Sequence, residues 1–202
     1  MLPIVLNENK VRIVVFGYGA ASRMKVAGIE RARMHCHVIS PDVKVEEDRP
    51  LVTFECDAYR VDHLSKGHLI IAATESKETN KRIAEEARRA GKLVLNLSDG
   101  SDSDFHMMSW REHGPITVGL STGSCAPSES KKLIEKLMTV IDDDVVERVI
   151  LLGSLRKKIK QLGYQPIKPI INAFATLSTE GLELLDGLTL TELSIEIEKE
   201  LR

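Results

Sequence analysis

Short apolar runs rich in β-branched residues recur through the first half of the chain, with charged segments of helical spacing between them. Residues 12–16 (RIVVF), 36–40, 52–56, 68–73 (HLIIAA) and 93–96 read as strands, because such runs are too short for helices and suit a pleated surface. Residues 20–32 and 77–90 read as helices, the second strongly charged and closed by Gly91, the residue type that most often follows a helix. Strands that alternate with helices predict a parallel sheet with right-handed crossovers. Such sheets bind ligands at the carboxyl ends of their strands. The positions of interest therefore follow each strand: residues 17–21, Pro41 and Asp42, Thr74 and Glu75, and residues 96–99.

The pattern changes after about residue 100. Residues 100–104 form a polar loop, residues 116–121 one further strand, and residues 122–128 a loop of small residues. A helix is expected from about Glu129, with Ser128 as its N-cap. The next helix starts near Asp142-Asp143-Asp144 and runs to Gln161. Its acidic start and basic end (Arg156, Lys157, Lys158, Lys160) both suit the helix dipole. Thr189-Leu190-Thr191-Glu192 is a capping box for a last helix. The expected fold is α/β, a Rossmann-type parallel-sheet domain followed by a mainly helical C-terminal region.

Composition narrows the classes. A chain of 202 residues accommodates one domain and a smaller second one. With 28 basic and 30 acidic residues, nothing draws the whole molecule to nucleic acid or to a membrane surface, and neither is expected as a partner. One Trp makes a stacking platform for single-stranded nucleic acid unexpected. No apolar run approaches the roughly 20 residues of a membrane span, and the first residues lack the basic start of a signal peptide. Cys36, Cys56 and Cys125 cannot all pair and show no CxxC spacing, which fits a reduced, cytoplasmic setting.

The richest stretch is Val11-Arg12-Ile13-Val14-Val15-Phe16-Gly17-Tyr18-Gly19-Ala20-Ala21-Ser22-Arg23-Met24-Lys25. A strand-like run feeds a glycine turn that opens into a helix, the arrangement that holds a dinucleotide's pyrophosphate. Gly17 permits the tight turn, and Gly19 lets the backbone approach the phosphates. Ser22 stands where Gly or Ala is usual in G-x-G-x-x-G. The signal gains weight from Asp42, after the second apolar run. A carboxylate there accepts hydrogen bonds from ribose hydroxyls and repels a 2′-phosphate, which favours NAD over NADP. The plain alternative is a tight βα turn with no ligand.

Several ordered pieces resemble the precorrin-2 dehydrogenase family, the NAD-dependent dehydrogenase part of siroheme synthases. They are Leu2-Pro3-Ile4-Val5-Leu6, the Gly17-x-Gly19-x-x-Ser22-Arg23-x-Lys25 turn, Ile71-Ala72-Ala73-Thr74 with Asn80, Asn96-Leu97-Ser98-Asp99, and residues 118–127. The chain departs from the family at Tyr18, Ser22 and Ser124, where Gly, Ala and Gly are usual. The resemblance covers most of the chain and is strongest up to about Pro127. It implies NAD-dependent oxidation of precorrin-2 to sirohydrochlorin by a homodimer. Residues 1–114 would form the NAD-binding domain, 115–148 the dimerisation region and 149–202 the helical region. Carried over residue by residue, it implies that Gly17, Gly19, Ala20, Ala21, Pro41, Asp42 and Thr74 bind the cofactor. It makes Asp99 the catalytic carboxylate, and places Ser121, Thr122, Gly123 and Ser124 beside the substrate.

Asp99 would act as general base or as electrostatic stabiliser of charge developing on the macrocycle; the plain alternative is a turn-forming Asp before Gly100. Asp102 and Asp104 are rivals in the same loop, and His106 and His113 flank Trp110 as candidate proton carriers. A tetrapyrrole bearing eight carboxylates needs cations, for which Lys131 and Lys132 are the candidates. His35-Cys36-His37 resembles a metal cluster, but strand alternation sends Cys36 to the opposite face, and no metal site is assigned. Two other functions remain open. One is a bifunctional dehydrogenase and ferrochelatase, against which the short C-terminal part leans. The other is a non-catalytic NAD-sensing module.

Overall fold

A computed structural model describes residues 2–43, 49–123 and 125–200. The chain divides into two compact units, Met1–Met107 and Met108–Arg202. The first holds five strands, β1 (Arg12–Phe16), β2 (His35–Ile39), β3 (Val52–Glu55), β4 (Leu69–Ala72) and β5 (Leu93–Asn96). They form one parallel sheet in the order β3-β2-β1-β4-β5. Helix α1 (Ala20–Arg31) joins β1 to β2, and α2 (Lys77–Arg89) joins β4 to β5. A 3₁₀ turn, Val61–Lys66, lies between β3 and β4.

The strands are apolar on both sides because both sides are covered. Ile13, Val15, Val38 and Ile71 pack with Val26 and Ile29 of α1. Val14, Phe16, Ile70 and Val94 pack with Ile83, Ala84 and Ala87 of α2. Each Val, Ile or Phe side chain among them, fully buried, stabilises the fold by about 1.5–3 kcal/mol. Register aligns the carboxyl ends, with Phe16 opposite both Ile39 and Ala72, and Ala72 opposite Asn96. Strand order reverses between β1 and β4, so a crevice opens where their following loops part.

In the second unit β6 (Ser109–His113) and β7 (Ile116–Leu120) form an antiparallel hairpin. Helix α3 (Pro127–Met138) packs on it, and Arg111 pairs with Glu135 across that contact. Four more helices, α4 (Asp143–Gln161), α5 (Ile167–Phe174), α6 (Thr179–Gly187) and α7 (Leu190–Glu200), enclose Leu155, Ile159, Ile170, Phe174, Leu182, Leu193 and Ile197. The Thr189 capping box forms, with Thr189 N–H donating to Glu192 Oε2 at 2.9 Å and Glu192 N–H to Thr189 Oγ1 at 3.3 Å. The expected cap at Ser128 does not. Helix α3 begins at Pro127, whose preset φ suits a first helical residue, so Ala126 is the N-cap and Ser128 lies inside the helix. Among the described residues no helix is long and apolar enough to cross a membrane.

Candidate functional site

The loop after β1 runs against the loop after β4. Gly17 has φ +92°, and its N–H donates to Ile39 O at 2.8 Å. A Cβ there would lie 2.4 Å from Ala73 O and 2.8 Å from Thr74 Cα, both main-chain atoms. The backbones after β1 and β4 therefore touch, and only glycine fits. Gly19 is different. It is the N-cap of α1 with extended backbone, and a Cβ there would meet nothing within 4 Å. No side chain caps α1, and Ala20 and Ala21 of its first turn are exposed, which leaves its first N–H groups open to an anion. This is the cradle expected for a pyrophosphate. Ser22, at the third position, is buried and returns its hydroxyl to Gly19 O at 2.9 Å. It thereby fixes the turn by a hydrogen bond where the family motif has a small apolar residue.

Thr74, past the end of β4, is held by buried Asn80. Asn80 Oδ1 accepts from Thr74 N–H at 2.9 Å and from Thr74 Oγ1 at 2.7 Å. Its amide donates to Thr74 O at 2.9 Å and to Ser98 Oγ at 3.2 Å. One side chain thus ties the loop after β4 to the loop after β5. Pro41 and Asp42 follow β2 and are both exposed, and Pro41 O accepts from Cys56 Sγ at 3.1 Å. All seven positions expected to hold the cofactor lie along the carboxyl edge of this sheet.

Asp99 lies on the same edge, exposed, after β5. Its Oδ1 caps a short 3₁₀ turn, accepting from Ser101 Oγ at 2.6 Å and Ser101 N–H at 2.9 Å. These bonds hold its carboxyl below the usual range. Asp99 is therefore ionised and weakly basic, which suits a fixed negative charge better than a proton acceptor. Its rivals are otherwise engaged. Asp102 receives Arg88 at 2.6 Å and Asn96 at 3.1 Å, and Asp104 receives Arg88 at 2.9 Å and Val94 N–H at 3.0 Å. They fasten the loop to α2 and β5.

The positions carried over for the substrate belong to the second unit. Thr122 Oγ1 shares a hydrogen bond with buried Ser130 at 2.9 Å and accepts from Ala126 N–H at 3.3 Å, so it anchors the start of α3. Ser121 Oγ accepts from Gly123 N–H at 3.2 Å. Lys131 is exposed, and Lys132 makes an exposed pair with Glu129 at 2.7 Å. Ser124 lies outside the described residues. His113 bonds Ile141 O at 2.9 Å and Asp143 at 3.0 Å, joining the hairpin to the start of α4. In His35-Cys36-His37, His35 is exposed and Cys36 buried, with burial pushing the thiol up to about 12.

Two further residues, Tyr18 and Arg49, carry roles that their sequence does not signal. Tyr18, between the two glycines, packs edge-on against Phe54, lies beneath the Arg23 guanidinium and accepts from Arg49 Nη1 at 3.0 Å. Arg49 also makes a two-pronged pair with Glu30, which lowers the Glu30 pKa. Together they brace the glycine loop from outside. Nothing local in sequence announces a contact between α1 and a residue 19 positions on.

A Rossmann-order sheet, a glycine turn at its switch point and an uncapped helix start define a dinucleotide-binding domain. Residues 4–109 match the family described as "Putative NAD(P)-binding". The chain belongs to this family, the NAD(P)-binding family of precorrin-2 dehydrogenase and the siroheme synthase N-terminus. It is 29% identical to precorrin-2 dehydrogenase of Bacillus subtilis strain 168, over 78% of this chain and 99% of that one. It is 30% identical to siroheme synthase of Nitrosomonas europaea, over 79% of this chain and 35% of that one. The chain thus spans about a third of the siroheme synthases it matches. The solved structure of SirC, a precorrin-2 dehydrogenase, superposes with a TM-score of 0.68 at 19% identity, covering 98% of this chain and 100% of that one, a likeness of fold.

Proposed function

We propose that this protein is an NAD-dependent dehydrogenase that oxidises precorrin-2 to sirohydrochlorin. The observation that carries the reading is the match to a precorrin-2 dehydrogenase along 99% of that enzyme's length. The intact cradle at Gly17, Gly19, Ala20 and Ala21 agrees with it. Gly17 lets two loops meet, Gly19 leaves room for phosphate oxygens, and Asn80 holds Thr74 in place. Asp42 accepts the ribose hydroxyls and disfavours a 2′-phosphate, so NAD is the cofactor. A nicotinamide held there would supply the acceptor for the hydride lost from the substrate carbon. Loss of hydride leaves positive charge on the macrocycle, and ionised Asp99, which is exposed, stabilises that charge while a macrocycle proton passes to solvent water.

The carboxylates of the substrate are read by Lys131 and Lys132, with Ser121, Thr122, Gly123 and Ser124 as the adjoining loop. The exposed Lys132–Glu129 pair is weak and exchanges readily for a substrate carboxylate. Residues 1–114 bind the cofactor, 115–148 dimerise and 149–202 form the helical region. Support for the dimer comes from Leu133, Leu137 and Val140, which are 44%, 45% and 70% exposed. Two exposed thiols, Cys56 and Cys125, suit a reducing cytoplasm.

The test is anaerobic incubation with precorrin-2 and NAD⁺, following NADH absorbance and the macrocycle spectrum. Conversion is expected, with Asp99→Asn binding NAD normally and turning over slowly. The substitution retains an oxygen to cap the 3₁₀ turn, so the fold is spared. Binding of NAD without oxidation of the macrocycle would replace this reading with that of a cofactor-sensing module.

A further inference from the structure

One cluster of titratable side chains in the first unit takes no part in the cofactor cradle. Glu55 ends β3, Asp57 follows two residues on, and His63 lies in the 3₁₀ turn. One ligand atom from each lies within 4.8 Å of the others. The His63 ring is wholly buried, stacked near Phe16 with centroids 6.3 Å apart, and its Nε2 has no hydrogen-bond partner. That nitrogen faces Glu55 Oε1 at 3.6 Å and Asp57 Oδ2 at 3.5 Å. Both distances are too long for hydrogen bonds. They match neighbouring ligands of one ion, since donors about 2.0–2.2 Å from a tetrahedral centre lie about 3.3–3.6 Å apart.

We infer that Glu55, Asp57 and His63 bind one divalent transition-metal ion, with water completing its shell. Two carboxylates and one imidazole neutralise a dication and suit Zn²⁺, Co²⁺ or Mn²⁺; the absence of sulfur disfavours Cu⁺. The outer shell is already built. Glu55 Oε2 accepts from Lys66 and bonds His37 Nε2 at 2.7 Å, and His37 Nδ1 bonds Thr53 at 2.6 Å. Asp57 Oδ1 accepts from Ala58 N–H at 2.8 Å. Such partners orient ligating carboxylates.

Two rearrangements accompany binding. Arg60, which pairs with Asp57 Oδ2, is 55% exposed and can swing into water. Ligation through Nε2 requires the tautomer that carries its proton on Nδ1, which gives up the long 3.3 Å bond from Arg60 N–H. The ion then clips the end of β3 to the turn that leads into β4. Cys56 projects between the two carboxylates in sequence but bonds Pro41 O instead, which leaves it outside the set.

Cobalt(II) titration of the EDTA-treated full chain tests this, read by ligand-field absorption and by the thermal midpoint. One equivalent should bind without a thiolate charge-transfer band, and the midpoint should rise to saturation. Because His63 is buried, the more accessible pair carries the mutational test. Glu55→Gln and Asp57→Asn should each weaken affinity by about a hundredfold, and His37→Asn by about tenfold. Each variant is compared with its own metal-free midpoint, which separates lost binding from lost stability. Cys56→Ser and His35→Asn should bind as wild type does. Failure of wild type to bind one equivalent overturns the site, as does full binding by Glu55→Gln and Asp57→Asn. A thiolate band that Cys56→Ser removes would place the ion on the cysteine and overturn it equally.

Discussion

Alanine at Gly17 and alanine at Gly19 should fail in opposite ways. At Gly17 a Cβ falls 2.4 Å from Ala73 O, 2.7 Å from Ala73 C and 2.8 Å from Thr74 Cα. These are main-chain atoms just past the carboxyl end of β4, so no side chain can turn aside to relieve the clash. Backbone strain at φ +92° adds to it. Strain of this kind costs about 1–3 kcal/mol and overpacking another ~1–3 kcal/mol. Against a total stability of about 5–15 kcal/mol, Gly17→Ala should therefore lose a large share of the fold. At Gly19 the backbone is extended and the added methyl meets nothing. Reduced freedom of the unfolded chain offsets the loss of a better helix cap, and stability should stay within about 1 kcal/mol of wild type. The same methyl stands where phosphate oxygens must approach, so NAD affinity should fall. Urea unfolding and NAD titration of both variants measure the two effects separately. The reasoning is refuted if Gly17→Ala unfolds at the wild-type urea midpoint, or if Gly19→Ala keeps full NAD affinity.

Asn80→Ala leaves the Thr74 main chain and Ser98 without their partner and should cost about 2–4 kcal/mol in urea unfolding, with weaker NAD binding. Arg88 lowers the Asp102 pKa from 3.8, chiefly by its hydrogen bond, so that stability is present above about pH 3.8 and fades as pH falls below it. Asp102→Asn should accordingly be less stable than wild type at neutral pH, and thermal midpoints of the two should converge in acid. Lys131→Glu should raise the KM for the tetrapyrrole and leave that for NAD⁺ unchanged; equal effects on both would remove Lys131 from the substrate site.

Much of the first unit was legible because its signals are local. Five apolar runs and two intervening helices follow from periodicity and glycine placement, and the sheet edge that carries the cradle follows from the alternation of strands and helices. Strand β6 was not legible. Ser109-Trp110-Arg111-Glu112-His113 has no apolar alternation, and it is extended because β7 pairs with it. Ser128 was misread because serine is a good cap in isolation, whereas Pro127 starts the helix before it.

The sequence alone determined a parallel α/β domain with a glycine turn, since strand runs, helix periods and backbone freedom are properties of neighbouring residues. The tertiary structure decided which polar residues are fasteners and which are available for chemistry. Asp102 and Asp104 bond Arg88, Thr122 bonds Ser130, and Asn80 spans two loops, while Asp99 and Asp42 stay exposed. It also brought Glu55, Asp57 and buried His63 together, and Arg49 to Tyr18. A side chain's role depends on which partners the fold places within hydrogen-bond reach, and those partners come from elements far apart along the chain.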